Sequence, residues 1–153
     1  MRLLELKIPP PLVAVVTAAG MFLLARSLPL VALPPAWNSG AALVLLVCGA
    51  LIDLGGLMAF RRSKTTVNPM TPQRTTALVS TGVYRWTRNP MYLGMVFILL
   101  AWAVYLSSAW ALVGVPVFMA YITRFQIRPE ERALAARFGQ GYADYCAHVR
   151  RWL

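Results

Sequence analysis

Apolar residues gather in four runs along the chain, at 12–28, 37–60, 91–106 and 109–125, each closed off by prolines, arginines or serines. Crossing a bilayer core takes roughly 20 apolar residues in a helix. The second run exceeds that length, and the first approaches it. Pro9, Pro10 and Pro11 stand before the first run, so its helix propagates from about Pro11, where a missing N–H costs nothing in a first turn. Arg26, near its far end, can carry its charge to the interface on its long stem. Pro29, Pro34 and Pro35 suit a short external connection. The last two runs, parted by Ser107 and Ser108, are short for a perpendicular crossing. A closely packed helical hairpin relieves that shortness, with Pro116 a kink point in its second arm.

Between the second and third runs, residues 61–90 carry Arg61, Arg62, Lys64, Arg74, Arg85 and Arg88 without one acid. Such a segment marks the cytoplasmic side. In the C-terminal part, 126–153, Pro129 followed by Glu130 and Glu131 reads as a helix start with acids at the positive end of the dipole. Leu134 and Phe138 share a face, Gly139 can end that helix, and Tyr142, Tyr145, Cys146 and Val149 form a second apolar stripe before Arg150, Arg151 and Trp152. The pattern predicts one domain over 1–153. Its fold class is an all-α integral membrane protein with four transmembrane helices, the second pair a tight hairpin, and short C-terminal interfacial helices. The basic segments put both termini on the cytoplasmic side, and the first run, lacking an A-x-A-like exit, reads as a retained helix rather than a signal peptide.

Composition strengthens that picture. The chain of 153 residues is 59% hydrophobic and 13% charged, against roughly a quarter charged in soluble domains. The net charge of +10 resides on arginines at the ends of apolar runs, which suits anionic headgroups rather than nucleic acid. Cys48 and Cys146 make no disulfide framework, and with His148 the one histidine, no metal site is expected.

Folding the hairpin back brings Tyr84, Arg85, Arg88, Asn89 and Tyr92 toward Glu130, Glu131 and Tyr142, forming a polar cleft beside hydrocarbon. Several roles stay open. Arg88, Arg128 or Arg85 suits a carboxylate through its planar donor fork, while Arg85 serves equally as a lipid anchor. Asn89 either binds a ligand or caps the helix at Pro90. Tyr84 and Tyr92 border a ligand or sit in an aromatic belt. Gly94 admits either a ligand or another helix. Glu130 and Glu131 accept hydrogen bonds from a ligand or complement a helix start. Tyr142 and Tyr145 close the pocket or anchor in the interface, and Asp53, a carboxylate at membrane depth, pairs with a neighbour or contacts a ligand.

The run Thr81-Gly82-Val83-Tyr84-Arg85-Trp86-Thr87-Arg88-Asn89-Pro90-Met91-Tyr92-Leu93-Gly94, followed by Pro129-Glu130-Glu131, Phe138-Gly139, Tyr142 and Tyr145, resembles the integral-membrane isoprenylcysteine carboxyl methyltransferase and phospholipid methyltransferase superfamily. Thr65-Thr66-Val67-Asn68-Pro69 resembles its bacterial members. The resemblance implies an S-adenosyl-L-methionine-dependent methyltransferase, unlike the soluble Rossmann-like kind, with the cofactor between the hairpin end and the C-terminal elements. Cofactor contacts would come from Tyr84, Asn89, Tyr92, Gly94, Glu130, Glu131 and Tyr142, with Arg88 and Arg128 orienting substrate or cofactor. Asn89 stands where many eukaryotic isoprenylcysteine enzymes have histidine. The expected acceptor is amphipathic or lipophilic, a carboxylate being one candidate, met at the cytoplasmic face of a bacterial inner membrane. The competing expectation is a noncatalytic membrane scaffold or lipid-binding subunit.

Overall fold

A computed structural model describes residues 5–28, 31, 39–63 and 77–153. Over these the chain is helical with no sheet: α1 (Pro10–Ser27), α2 (Ser39–Arg62), α3 (Pro90–Tyr105), α4 (Gly114–Ile122), α5 (Arg128–Phe138) and α6 (Gln140–His148). The bacterial-type motif at 65–69 lies outside the described residues.

Three helical stretches are long and apolar enough to cross a membrane: α1, α2 and an unbroken run from Ala109 to Phe138. Their outward faces are apolar too. Val15, Val16 and Leu23 on α1, and Leu43, Val44, Leu51 and Leu54 on α2, are all more than half exposed, which is stable against lipid and not against water. This is a multi-pass membrane protein. Helix α3, of 16 residues, rises only about 24 Å at 1.5 Å per residue.

Helix α3 is the central element, buried along most of its length from Pro90 to Val104. It lies antiparallel to α2 because small residues let the two backbones meet. A methyl group on Gly49 would stand 2.8 Å from the Gly94 carbonyl oxygen, and one on Gly56 would stand 3.0 Å from Met91 Cγ. On the other side α3 packs with Met21, Val115, Phe118, Ile122 and Ile127 into the main core, and Trp102 Nε1 donates to the Ala18 carbonyl at 3.0 Å. The reversal after α3 is made at Ser107, whose φ is +52°, and Ser108 is buried.

One expected boundary is absent. Pro129 does not start a new helix; the backbone stays helical from Ala109 as a 3₁₀ turn (Ala109–Val113), α4, a π segment (Thr123–Ile127) and α5. A proline inside a helix orphans the carbonyl four residues back, here that of Phe125. The Leu6 N–H, from outside the helix, donates to that carbonyl at 3.1 Å. The residues before α1 bind the same stretch further: Gln126 Nε2 donates to the Ile8 carbonyl at 2.7 Å, and Glu5 bridges Arg124 at 3.2 Å and Arg132 at 2.5 Å. Sequence reading ended the apolar span at 125 because proline and two acids look like a helix start. The π segment and this external donor remove the need for a break. Pro116 lies near the start of α4, just after the 3₁₀ turn. Gly139, at φ +52°, does end α5.

Candidate functional site

The motif segment enters through a 3₁₀ turn (Gly82–Arg85) that places Tyr84 against Phe60, ring edge to ring face at 5.4 Å and 88°. Pro90 then opens α3. Asn89 does not cap this helix with its side chain; its Nδ2 instead donates to the Arg151 carbonyl at 2.9 Å. The buried Thr87 Oγ1 donates to that same carbonyl and accepts from the Asn89 N–H, each at 3.2 Å. With the Arg88 N–H donating to the Arg150 carbonyl at 2.9 Å, the last residues of the chain are laced along the motif.

Beneath this lacing lies an ionic group. Arg151 grips Glu131 with both forks, Nε to Oε1 at 2.9 Å and Nη2 to Oε2 at 2.7 Å, and its guanidinium is held above the usual range chiefly by that hydrogen bonding. Arg88 Nη2 donates to Glu131 Oε1 at 3.1 Å, and Arg88 Nη1 reaches the Cys146 carbonyl at 3.4 Å. Arg88 Nε is buried with no partner among the described residues. A buried donor left unmade costs free energy.

Tyrosines and carboxylates form the adjoining wall. Tyr92 donates its hydroxyl to Glu130 Oε1 at 2.5 Å, and Tyr145 donates to the Tyr84 carbonyl at 2.7 Å. Burial pushes the Tyr84 phenol up, helped by Tyr145 and by the charges of Glu130 and Asp53. Tyr142 is raised by burial and by its contact with Cys146. Its ring meets that of Tyr145 at 6.3 Å. Asp53, on α2, lies against Gly94: a methyl group there would stand 2.1 Å from Asp53 Oδ1 and 2.7 Å from the Gly49 carbonyl oxygen. That space is filled by α2, and Asp53 Oδ1 is buried with no partner among the described residues.

The structure brings together Tyr84, Arg88, Asn89, Tyr92, Gly94, Glu130, Glu131 and Tyr142. Arg128 is exposed at the start of α5, and no hydrogen bond or ion pair joins it to the group; Arg85 is exposed as well. His148 is exposed, with its Nδ1 2.7 Å from the Asp144 carbonyl oxygen. Sequence reasoning missed Arg151, because an arginine beside a tryptophan at a chain end reads as a lipid anchor. It left Asp53 and Tyr145 undecided, since their neighbours are distant in sequence. On the lipid side, an apolar groove of about 660 Å³ opens between α1, α2 and α3, lined by Ala18, Leu46, Ile98, Leu99, Trp102 and others.

The described residues form a multi-pass helical membrane protein with paired acids, arginines and tyrosines gathered at one end of the bundle. The chain matches the phospholipid methyltransferase family over residues 37–141. It belongs to that family, within the isoprenylcysteine carboxyl methyltransferase-like superfamily. A protein of Haemophilus influenzae described as uncharacterized is 46% identical to it over 63 residues, which are all of that protein and 41% of this chain.

Proposed function

We propose that this protein binds S-adenosyl-L-methionine between the Arg88–Pro90 segment, α5 and α6, and transfers its methyl group to an amphipathic or lipophilic acceptor at the cytoplasmic face of the membrane. The observation that carries the reading is the convergence of Arg88 with the carboxylates of Glu130 and Glu131 and the Tyr92 hydroxyl in a family of methyltransferases. The donor set fits the cofactor, which has a carboxylate for a guanidinium and hydroxyls and an ammonium for carboxylates. When bound, it supplies a methyl group already activated on a sulfonium, so the protein's task is alignment and exclusion of water.

In this reading Arg88, fixed in place by its hold on Glu131, orients the cofactor carboxylate. Glu130 accepts from hydroxyls on the side not taken by Tyr92, Tyr84 and Tyr142 wall off solvent, and Asn89 keeps the chain end folded over the site. Arg128, exposed at the lip, would steer a charged acceptor. The apolar groove between α1, α2 and α3 supports a lipophilic tail lying toward the opposite membrane face. We place both termini in the cytoplasm of a bacterial cell, with α3 as a fourth, short crossing, on the strength of the basic segments.

The test is transfer of an isotopically labelled methyl group from S-adenosylmethionine into fractionated membrane lipids by the purified protein in bilayers. Label is expected in one lipophilic fraction and should vanish in Arg88→Met. Incorporation that is unchanged in a folded Arg88→Met protein would refute the assignment of that residue.

A further inference from the structure

Ile122 and Ile127 are both fully buried and enter the same core, although in a regular α-helix positions five apart point about 140° away from each other. The π segment (Thr123–Ile127) reconciles them. The Arg128 N–H reaches back five residues to the Thr123 carbonyl, so that turn accommodates one residue more than an α turn. Everything after it, Glu130 and Glu131 included, is presented one position later than an uninterrupted α-helix would present it. In this register Glu130 meets the Tyr92 hydroxyl and Glu131 meets Arg88. A wide turn that runs into a proline is poorly held by its own backbone, because Pro129 has no N–H with which to close the next turn.

The segment before α1 supplies what is missing. The Leu6 N–H serves the Phe125 carbonyl, the Ile8 carbonyl accepts from the buried Gln126, and Glu5 joins Arg124 to Arg132. These ties run from 124 to 132 and so bracket Glu130 and Glu131 on both sides. They are made on another face of the helix: Pro129, Arg132, Ala133 and Ala136 line a cavity of about 540 Å³ shared with Glu5 and Leu6, whereas the acids turn toward Tyr92 and Arg88. Leu6 makes its bond from φ +57°, a left-handed conformation disfavoured for a leucine and kept only where the surroundings impose it. We infer that Glu5, the Leu6 N–H and Gln126 form a positioning strap for the candidate cofactor acids: they hold the π register, and that register sets where the Glu130 and Glu131 carboxylates stand. The inference rests on reading that group as the cofactor site. The strap acts through the helix and touches no ligand.

The test follows Glu5→Gln and Gln126→Met, each close in shape to the residue it replaces, in the full-length protein in nanodiscs. Affinity for S-adenosylmethionine, by calorimetric titration, is expected to fall roughly two- to tenfold in each, with helix content as in wild type. Glu5→Gln alone decides if Gln126→Met does not fold. In a Glu130→Gln background Glu5→Gln should cost much less than it does alone, because the carboxylate it places is gone. An equal loss in both backgrounds, or unchanged affinity in Glu5→Gln, would overturn the inference. A second readout needs no cofactor. With Tyr92 replaced by a fluorinated tyrosine, the fluorine resonance reports the hydrogen bond to Glu130, and Glu5→Gln should move it toward its position in Glu130→Gln; a resonance left at the wild-type value would overturn the inference as well. If wild type takes up no S-adenosylmethionine but the resonance moves, the cofactor reading fails and the strap stands as the device that places Glu130.

Discussion

Replacing Gly94 with alanine tests the packing that sets the distance between α2 and α3. The added carbon would stand 2.1 Å from Asp53 Oδ1 and 2.7 Å from the Gly49 carbonyl oxygen. The first neighbour is a side chain and can swing aside; the second is backbone, about 0.7 Å inside ordinary contact, so the helices must part. Overpacking of this kind costs roughly 1–3 kcal/mol, against a helix-propensity gain of about 0.5–1 kcal/mol for alanine over glycine. The net loss, centred on about 1 kcal/mol, corresponds to a fall of roughly 2–4 °C in melting temperature for a chain of this size. Thermal melting in nanodiscs followed by tryptophan fluorescence reads this directly. Gly20→Ala is the control, since nothing lies within 4 Å of a methyl group there, and it should not lower the melting temperature. A Gly94→Ala protein that melts with wild type, or a control that falls as far, would refute the reasoning.

Other perturbations probe the remaining contacts. Glu131→Gln strips the counter-charge from Arg88, whose side chain is 13% exposed, and from Arg151, at 37%. It should cost several times more in denaturant melts than Arg151→Met, which removes the more exposed partner and is expected to cost under about 1 kcal/mol; equal costs would contradict the network drawn here. Glu5→Ala releases both Arg124 and Arg132 and should speed hydrogen exchange in the π segment (Thr123–Ile127) while leaving α2 unchanged; protection unaltered in that segment would mean Glu5 does not hold it. Tyr145, pushed up to about 12 chiefly by burial, keeps its proton in the folded state after the unfolded phenol, near 10, has lost its own. Stability should therefore be unaffected by this group below about pH 10 and fall as pH rises from there toward 12. Tyr145→Phe should flatten that slope, and an unchanged slope would mean another group causes it.

The membrane character was legible because lipid selects composition: apolar runs of spanning length and arginines at their ends leave few alternatives. Helix starts at proline were legible for the same local reason, as at Pro10 and Pro90. Pro129 misled because the device that lets a proline continue a helix lies elsewhere, in the Leu6 N–H that serves the Phe125 carbonyl, a contact no local pattern records. The motif residues Tyr84, Arg88, Asn89, Tyr92, Glu130 and Glu131 stood out as polar groups flanking hydrocarbon. Their pairing did not. Whether Asn89 caps its own helix or ties down the chain end depends on where residues 150–151 run, and Arg151 discloses its role only once α6 has turned back at Gly139. Asp53 was visible as an anomaly in an apolar span, but its neighbours Gly94 and Tyr84 follow from helix packing alone.

We propose the Arg88, Glu130 and Glu131 group as the cofactor site. Calorimetric titration of S-adenosylmethionine into the purified, folded protein tests it most directly. Saturable binding is expected, with affinity lowered about two- to tenfold in Glu130→Gln, the range for losing one hydrogen bond, and little changed in Arg85→Gln. No saturable heat from folded wild type, or equal affinity in all three proteins, would contradict it.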